Sequence, residues 1–580
     1  MLRKLIRGLA QGVRTPAPPP AAAGAEDPRF EEARRQLESG APLAALATIR
    51  PVASRPDAGA PVLRLYGQVL ARCGSHAEAL AAFRRAAALE DSAAVRADIG
   101  NVLLLMGDFD AAEEAYERSL AVGASAGAWY NLGLLQLRRR RDAEAARCFG
   151  RSLDATPDFP EALRALGAIA VRLPGADEEV RRRCAALLAA DPECPAAHEV
   201  VGSLRLKREL DAEGAIECFA RAGAAGGGGA DLHRDLGVAL QELGRADEAI
   251  EAYDRALAVN PSDATARWHR SLALLLVGRF EEAWPDYEVR LKDEARPRRS
   301  VPVPRWTEDA LPSGRLLVLA EQGLGDEIMF ASCIPDLVRA GAEIVLEAHP
   351  KLAPIYRRSF PTVEVRAGTQ FEPLDWAARD AGIERYIEVG SLPSRFRRTR
   401  ADFPERGAYL QADAEKVRRW RARIDTLGGP AVGISWRGGT DKSRRHLRSP
   451  RLEDLASLLE VPGVRWVSLQ YDARAEEIEA FRNATGGRFH HWQDAIDDYD
   501  ETAALLAALD HTVTVCTAIV HLAGALGQPV VVMAPYAPEW RYGLRSERMA
   551  WYPSVRVLRQ PARHAWAPLV ARVKKELPAG

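Results

Sequence analysis

The 580-residue sequence predicts an α-helical repeat array followed by two successive layers of parallel strands and helices, an α plus α/β chain. Three observations carry this reading. Gly67, Gly100, Gly133, Gly167, Gly202 and Gly237 recur in one local setting at intervals of 33 to 35 residues, and Ser271 holds the next place. Beyond residue 315, short apolar runs end in glycine-containing turns and give way to helical patterns. Hydrophobic residues make up 47% and charged residues 27%, enough for sizeable cores, while 79 basic against 80 acidic residues leave a net charge of −1 and exclude a chain-wide nucleic-acid footprint.

Residues 1–27 read as a leader to the folded chain. Leu2, Leu5, Ile6 and Leu9 sit among Arg3, Lys4 and Arg7, a short basic amphipathic helix without the long apolar stretch of a secretory signal, and Pro16 to Ala23 form a stiff tether. A frayed terminal helix is the expected outcome, ahead of a membrane-touching one. No run approaches the roughly 18 apolar residues of a transmembrane helix. Seven scattered cysteines without a Cys-x-x-Cys signal neither a disulfide framework nor zinc, so a cytoplasmic location is expected.

The array spans residues 28–296. Twelve residues past the glycine come Ala79, Ala112, Ala145 and Ala249; sixteen past it come Phe83, Tyr116, Phe149 and Tyr253. Small residues let two helices approach and the aromatics fill the gap behind them. Pro157 and Pro261 stand where one unit must stop. A period near 34 with four signature positions in phase resembles tetratricopeptide repeats, which implies a solenoid whose concave face binds an extended protein segment. The unit at 161–194 departs from the pattern, with Glu179 in the alanine place; residues 29–57 read as a divergent capping pair, and a break is expected at the glycine-rich stretch 223–229.

Prolines 297, 302 and 304 mark a linker over 297–314. The first α/β layer, 315–415, opens with an apolar strand ending in Glu321-Gln322-Gly323-Leu324-Gly325-Asp326, where Gly323 and Gly325 let a ligand approach the backbone. Asp326 is then either a helix N-cap or a carboxylate at a cleft rim able to accept a proton. The second layer, 416–580, has strands expected at 431–435, 464–469, 512–515 and 529–533. After the first of these, Trp436, Arg437, Lys442 and Arg448 lie in or near a glycine-containing basic loop suited to phosphate. After the third, Cys516, Thr517 and Ala518 open a helix whose N–H groups make an anion site, with His521 one turn in as a ligand contact or a packed core residue. Asp498 and Asp500 precede a helix, so capping explains them and no metal is assigned. A dinucleotide oxidoreductase is disfavoured, because the first turn lacks the third glycine.

Trp306, the Glu321 to Asp326 run, Ser391-Leu392-Pro393, Gly433 to Gly438, Ser468-Leu469-Gln470, His521 to Gly527, Pro535 to Trp540 and Trp551-Tyr552-Pro553 occur in an order that resembles bacterial tetratricopeptide-repeat glycosyltransferases with a heptosyltransferase-like catalytic half. The resemblance implies a GT-B fold of two Rossmann-like domains, the acceptor on the first and the nucleotide-sugar on the second, with no metal or cofactor beyond that co-substrate. It puts Asp326 in the place of the general base and Thr517, His521 and Gln470 among donor contacts. Cys516 departs from it, standing where the family usually has Asp. Loss of that negative charge suggests an acidic donor such as a CMP-linked nonulosonic acid, and flagellin is an acceptor that the resemblance suggests. The implied activity is metal-independent, inverting transfer of sugar to a protein hydroxyl; the rival is a non-catalytic repeat scaffold with a degenerate transferase-like half.

Overall fold

A computed structural model describes residues 27–292, 299–380, 382–405, 407–439 and 445–578. The basic segment at 1–26 and Lys442 lie outside the described residues. No helix among the described residues is long and apolar enough to cross a membrane. The chain divides into two compact units, one ending at Gly228 and the other beginning at Gly229.

The first unit is a run of helix pairs, from Pro28–Glu38 with Pro42–Ala53 to Pro195–Leu204 with Ala212–Ala224. Its recurring glycines receive aromatic rings directly. A Cβ at Gly67, Gly100 or Gly133 would stand 2.6 to 2.7 Å from the ring of Phe83, Tyr116 or Phe149, a separation no carbon atom tolerates, so the glycine is what permits the helix contact. Prolines or capping side chains set where helices begin: the Ser92, Asp108, Ser125 and Asp211 side chains each accept a backbone N–H of the first turn. Two units shift the pattern by one residue. In the pair at 160–190, Val180 and Cys184 are fully buried one position beyond Glu179 and Arg183, because a five-residue turn at 171–175 joins the helices. In the next pair the ring against Gly202 belongs to Phe219, seventeen residues on rather than sixteen, and a π-helical turn at Arg205–Glu209 absorbs the additional residue.

The second unit begins with two more pairs, Ala230–Glu242 with Ala246–Val259 and Ala264–Val277 with Phe280–Tyr287. These lead into two parallel sheets. The first contains β1 (Arg315–Leu319), β2 (Ile344–Ala348), β3 (Glu364–Ala367) and β4 (Ile383–Glu388), in the order β3-β2-β1-β4. The second contains β5 (Ala431–Ser435), β6 (Arg465–Ser468), β7 (Phe489–His490), β8 (His511–Val515), β9 (Val530–Ala534) and β10 (Val555–Arg559), in the order β10-β9-β8-β5-β6-β7. Helices cover the faces, so β2, β5 and β9 are buried along their whole length and are mostly apolar, with Glu347 and Ser435 the polar exceptions in β2 and β5. Strand order reverses beside β1 in one sheet and beside β5 in the other, the places where crevices form at carboxyl ends. The chain after β1, β5, β6 and β8 carries the candidate residues.

The last helix pair is tied to the first sheet. Trp284 is buried and its Nε1 donates to the Arg397 carbonyl at 2.8 Å. Buried Arg290 donates from Nη2 to Glu321 Oε1 at 2.6 Å and to Ser391 Oγ at 2.7 Å. Glu321 and Ser391, conspicuous in the sequence, therefore act as a clamp for a guanidinium whose burial cost they offset.

Candidate functional site

After β1 the chain passes through Gln322, which has a left-handed backbone (φ 66°), into the helix Leu324–Ala331. A non-glycine residue there costs on the order of 1 kcal/mol. Neighbours hold it: Gln322 Nε2 donates to the Tyr287 hydroxyl at 3.0 Å, and Gln370 Nε2 donates to the Gln322 carbonyl at 3.3 Å. Gly323 occupies the N-cap position, so Asp326 lies within the first turn and is not the cap. Its Oδ1 accepts from Arg541 Nε at 2.6 Å. Arg541 follows β9, so this pair joins residues 215 positions apart and belonging to different sheets. Burial opposes the charge on Arg541, but Asp326 and Glu539 outweigh it and raise its pKa above the ordinary guanidinium value.

Gly325 serves a different purpose from the ligand approach its position suggests. A Cβ there would lie 2.9 Å from His521 Cδ2 and 3.4 Å from the Ala518 Cα. The helices Leu324–Ala331 and Ala518–Ala525 pack together through this gap. His521 is accordingly a packed core residue: its Nδ1 lies 3.1 Å from the Tyr552 hydroxyl, and burial, with Arg541 nearby, pushes its pKa down to about 3, leaving a neutral imidazole. Thr517 caps the helix Ala518–Ala525, accepting from the Ile519 N–H at 3.2 Å. Cys516, just before it, is buried; desolvation and Glu539 push its thiol up to about 12, so it presents a neutral sulfur.

The loop after β5 is held by partners within its own layer. Gln470 Oε1 accepts from the N–H groups of Trp436 and Arg437 at 3.0 and 2.9 Å, and its Nε2 donates to Asp472 at 2.7 Å. Trp436 packs on Phe481, with ring centres 4.2 Å apart. Arg437 donates to the Asp472 carbonyl at 2.6 Å and is ion-paired with Glu477. These three residues order the strand ends. Arg448 instead reaches Glu539, beside Cys516. Asp498 caps the helix Tyr499–Ala508, and Asp500 is held by Arg358 at 2.5 Å and Lys416 at 2.8 Å.

A cavity of about 310 Å³ lies here, near the lower end of the range for ligand pockets. Arg448, Cys516, Glu539, Arg541 and Gln560 line its α/β side; Gln241, Glu242, Trp268 and His269 line its helical side. Of the expected site residues, Arg448 and Cys516 face this space, and Asp326 reaches its edge through Arg541. Arg541, Glu539 and the repeat residues were not among the expected site residues. The Pro535 to Trp540 run contains Glu539 and stops one residue short of Arg541; no motif pointed to the repeat residues.

Residues 98–157 and 234–297 match the family model for the tetratricopeptide repeat. The chain is 32% identical over 495 residues to Protein FlbA of Caulobacter vibrioides, an alignment covering 81% of this chain and 82% of that protein. Similar solved structures include a tetratricopeptide repeat protein from Parabacteroides merdae, at 16% identity and TM-score 0.35 over 44% of this chain and 100% of that one. Another is yeast Tom70, at 12% identity and TM-score 0.39 over 50% of this chain and 66% of that one.

Proposed function

This chain belongs to the FlbA family, and from its site and the motif resemblance described above we propose that it is a glycosyltransferase whose repeats recruit a protein acceptor and whose α/β half moves a sugar from a nucleotide-sugar to an acceptor hydroxyl. The observation that carries the reading is the meeting of Asp326, from the carboxyl end of one parallel sheet, with Arg541, from the carboxyl end of the other, beside a cavity that also holds Arg448 and Cys516. Asp326 takes the acceptor proton while the hydroxyl oxygen attacks the anomeric carbon; the bond from that carbon to the donor phosphate breaks, and the centre inverts. Arg541 engages Asp326 through Oδ1, and Oδ2 is the oxygen to which this reading assigns the proton. Arg448, Arg541 and the N-terminus of the helix Ala518–Ala525 supply positive potential for the leaving phosphate.

The neutral thiol of Cys516 favours an acidic sugar, because a carboxylate in its place would repel one. We therefore take a CMP-linked nonulosonic acid as donor; flagellin as acceptor rests on the motif resemblance alone. Intact mass of flagellin incubated with this donor tests the reading: wild type adds one fixed increment, and Asp326→Asn lowers the rate by about 100-fold or more. Undiminished transfer by Asp326→Asn removes Asp326 from the base role. A scaffold role is the second reading, favoured by the engagement of Asp326 with Arg541 and by the packing of Gly325 on His521, which fills part of the crevice. Absence of donor turnover by the wild type with any acceptor would support it.

A further inference from the structure

Gln560 stands one residue past β10 and lines the cavity. Only 4% of its surface is exposed. Its backbone N–H donates to the Ala534 carbonyl at 3.1 Å, which carries the pairing of β9 with β10 one step further, and its Oε1 accepts from the Tyr536 N–H at 3.2 Å. Its Nε2, with two N–H groups, has no partner. A buried amide left in this state is costly, because folding strips water from its donors and returns nothing. The Oε1 contact accounts for one end of the side chain, and the donor end is what a ligand in the cavity would use.

Charge does not choose the group that meets it. Glu539 pairs with both Arg448 and Arg541, so a carboxylate or an ammonium on the ligand meets charges of both signs. The hydrogen bond from Tyr536 places the flanking Pro535 and Ala537 beside the amide, and both line the same cavity. An uncharged acceptor joined to a small apolar group fits these features together. An amide carbonyl brings no proton of its own to satisfy, and its methyl packs on the apolar pair. A hydroxyl also accepts from Nε2, but it brings an O–H that needs a further acceptor and leaves the apolar surface bare.

We propose that Gln560 is a specificity-determining residue of the donor site: its Nε2 donates to the carbonyl of an acylamino group on the sugar being transferred, and the acyl methyl packs against Pro535 and Ala537. The proposal rests on the transferase reading for the identity of the ligand, and on Gln560 and its neighbours for the group that is read. Cys516 lines the same cavity from the end of β8, one strand removed from β10 in the sheet, so the acidity and the acylamino group of one sugar are recognised side by side.

CMP-N-acetylneuraminic acid and CMP-deaminoneuraminic acid differ at one position, where the first carries an acetamido group and the second a hydroxyl. Calorimetry on the full chain with these two and with CMP alone tests the proposal. Wild type is expected to bind the acetamido donor about tenfold or more tighter than the hydroxyl one. Gln560→Glu, which replaces the N–H donor by an acceptor of the same shape, and Gln560→Met, which removes it, are expected to bring the two within about twofold of each other while CMP affinity stays within about twofold of wild type. Equal affinity of the wild type for both donors would overturn the proposal, as would a preference that survives both substitutions, or a loss of CMP binding in both, which would make Gln560 a structural brace. A preference abolished as expected in a chain that passes sugar to no acceptor leaves the subsite standing and removes the transferase reading. Transfer from both donors at equal rates removes the subsite and leaves the transferase reading, and binding of none of the three compounds ends both.

Discussion

Asp326 and Arg541 form an ion pair in which each side chain is 17% exposed. Removing one partner from such a pair leaves the other charge partly desolvated and costs roughly 3 to 5 kcal/mol. Arg541→Ala should therefore lower the unfolding free energy of the second unit, measured by denaturant titration, by that amount; a loss below about 1 kcal/mol would mean that water already screens the pair. Cys516 offers a second check. Its buried thiol, pushed up to about 12, should resist iodoacetamide at pH 8 in the folded chain and react once urea is added, while the half-exposed Cys194 labels first. Early labelling of Cys516 in peptide mass maps would refute the burial described for it. The sequence marked Cys516 because a strand-to-helix junction is a local pattern. Arg541 escaped notice because its partner is 215 residues away and no local rule connects them.

Among the helical elements, the glycine-to-ring contact makes a sharp prediction. Gly133→Ala drives a methyl carbon to within 2.6 Å of the Phe149 ring and should cost about 1 to 3 kcal/mol despite the better helix propensity of alanine. Equal or greater thermal stability of the variant would show that the ring can move aside. The Gly-to-aromatic periodicity was legible because each repeat must solve the same packing problem with local residues. It failed at Glu179 and at Phe219, where a longer turn and a π-helical turn moved the register by one, a change that costs the packing little and disrupts any fixed-offset count. Trp436, Arg437 and Gln470 looked like ligand contacts, yet each is occupied in ordering the ends of β5 and β6. A polar residue at a strand end serves either purpose, and only the partner decides.

Across the whole second unit, the runs that became β1, β5, β6, β8 and β9 were readable because central parallel strands are buried on both faces. The two-residue β7 and the alternating edge strand β10 gave no such run. The contact between the helices Leu324–Ala331 and Ala518–Ala525 was equally hidden, since a glycine that admits another helix looks the same in sequence as one that admits a ligand. Glu327, in the first of those helices, is pushed up to about 8 by burial, with Glu347 adding to the effect. Between its ordinary 4.5 and about 8 the folded chain keeps a proton that the unfolded chain releases. Stability should fall as pH rises through that window by on the order of a few kcal/mol, and level off on either side. Denaturant midpoints for wild type and Glu327→Gln should diverge across that interval. The difference between them isolates this group from His521, whose depressed pKa gives the opposite slope below its ordinary 6.5. The Arg290 clamp, which fastens the final repeat to Glu321 and Ser391, bears on recombination between relatives. A chimera spliced at the proline-rich connector would separate the guanidinium from its two acceptors, whereas a crossover in the 226–229 glycines exchanges modules with every one of those bonds intact.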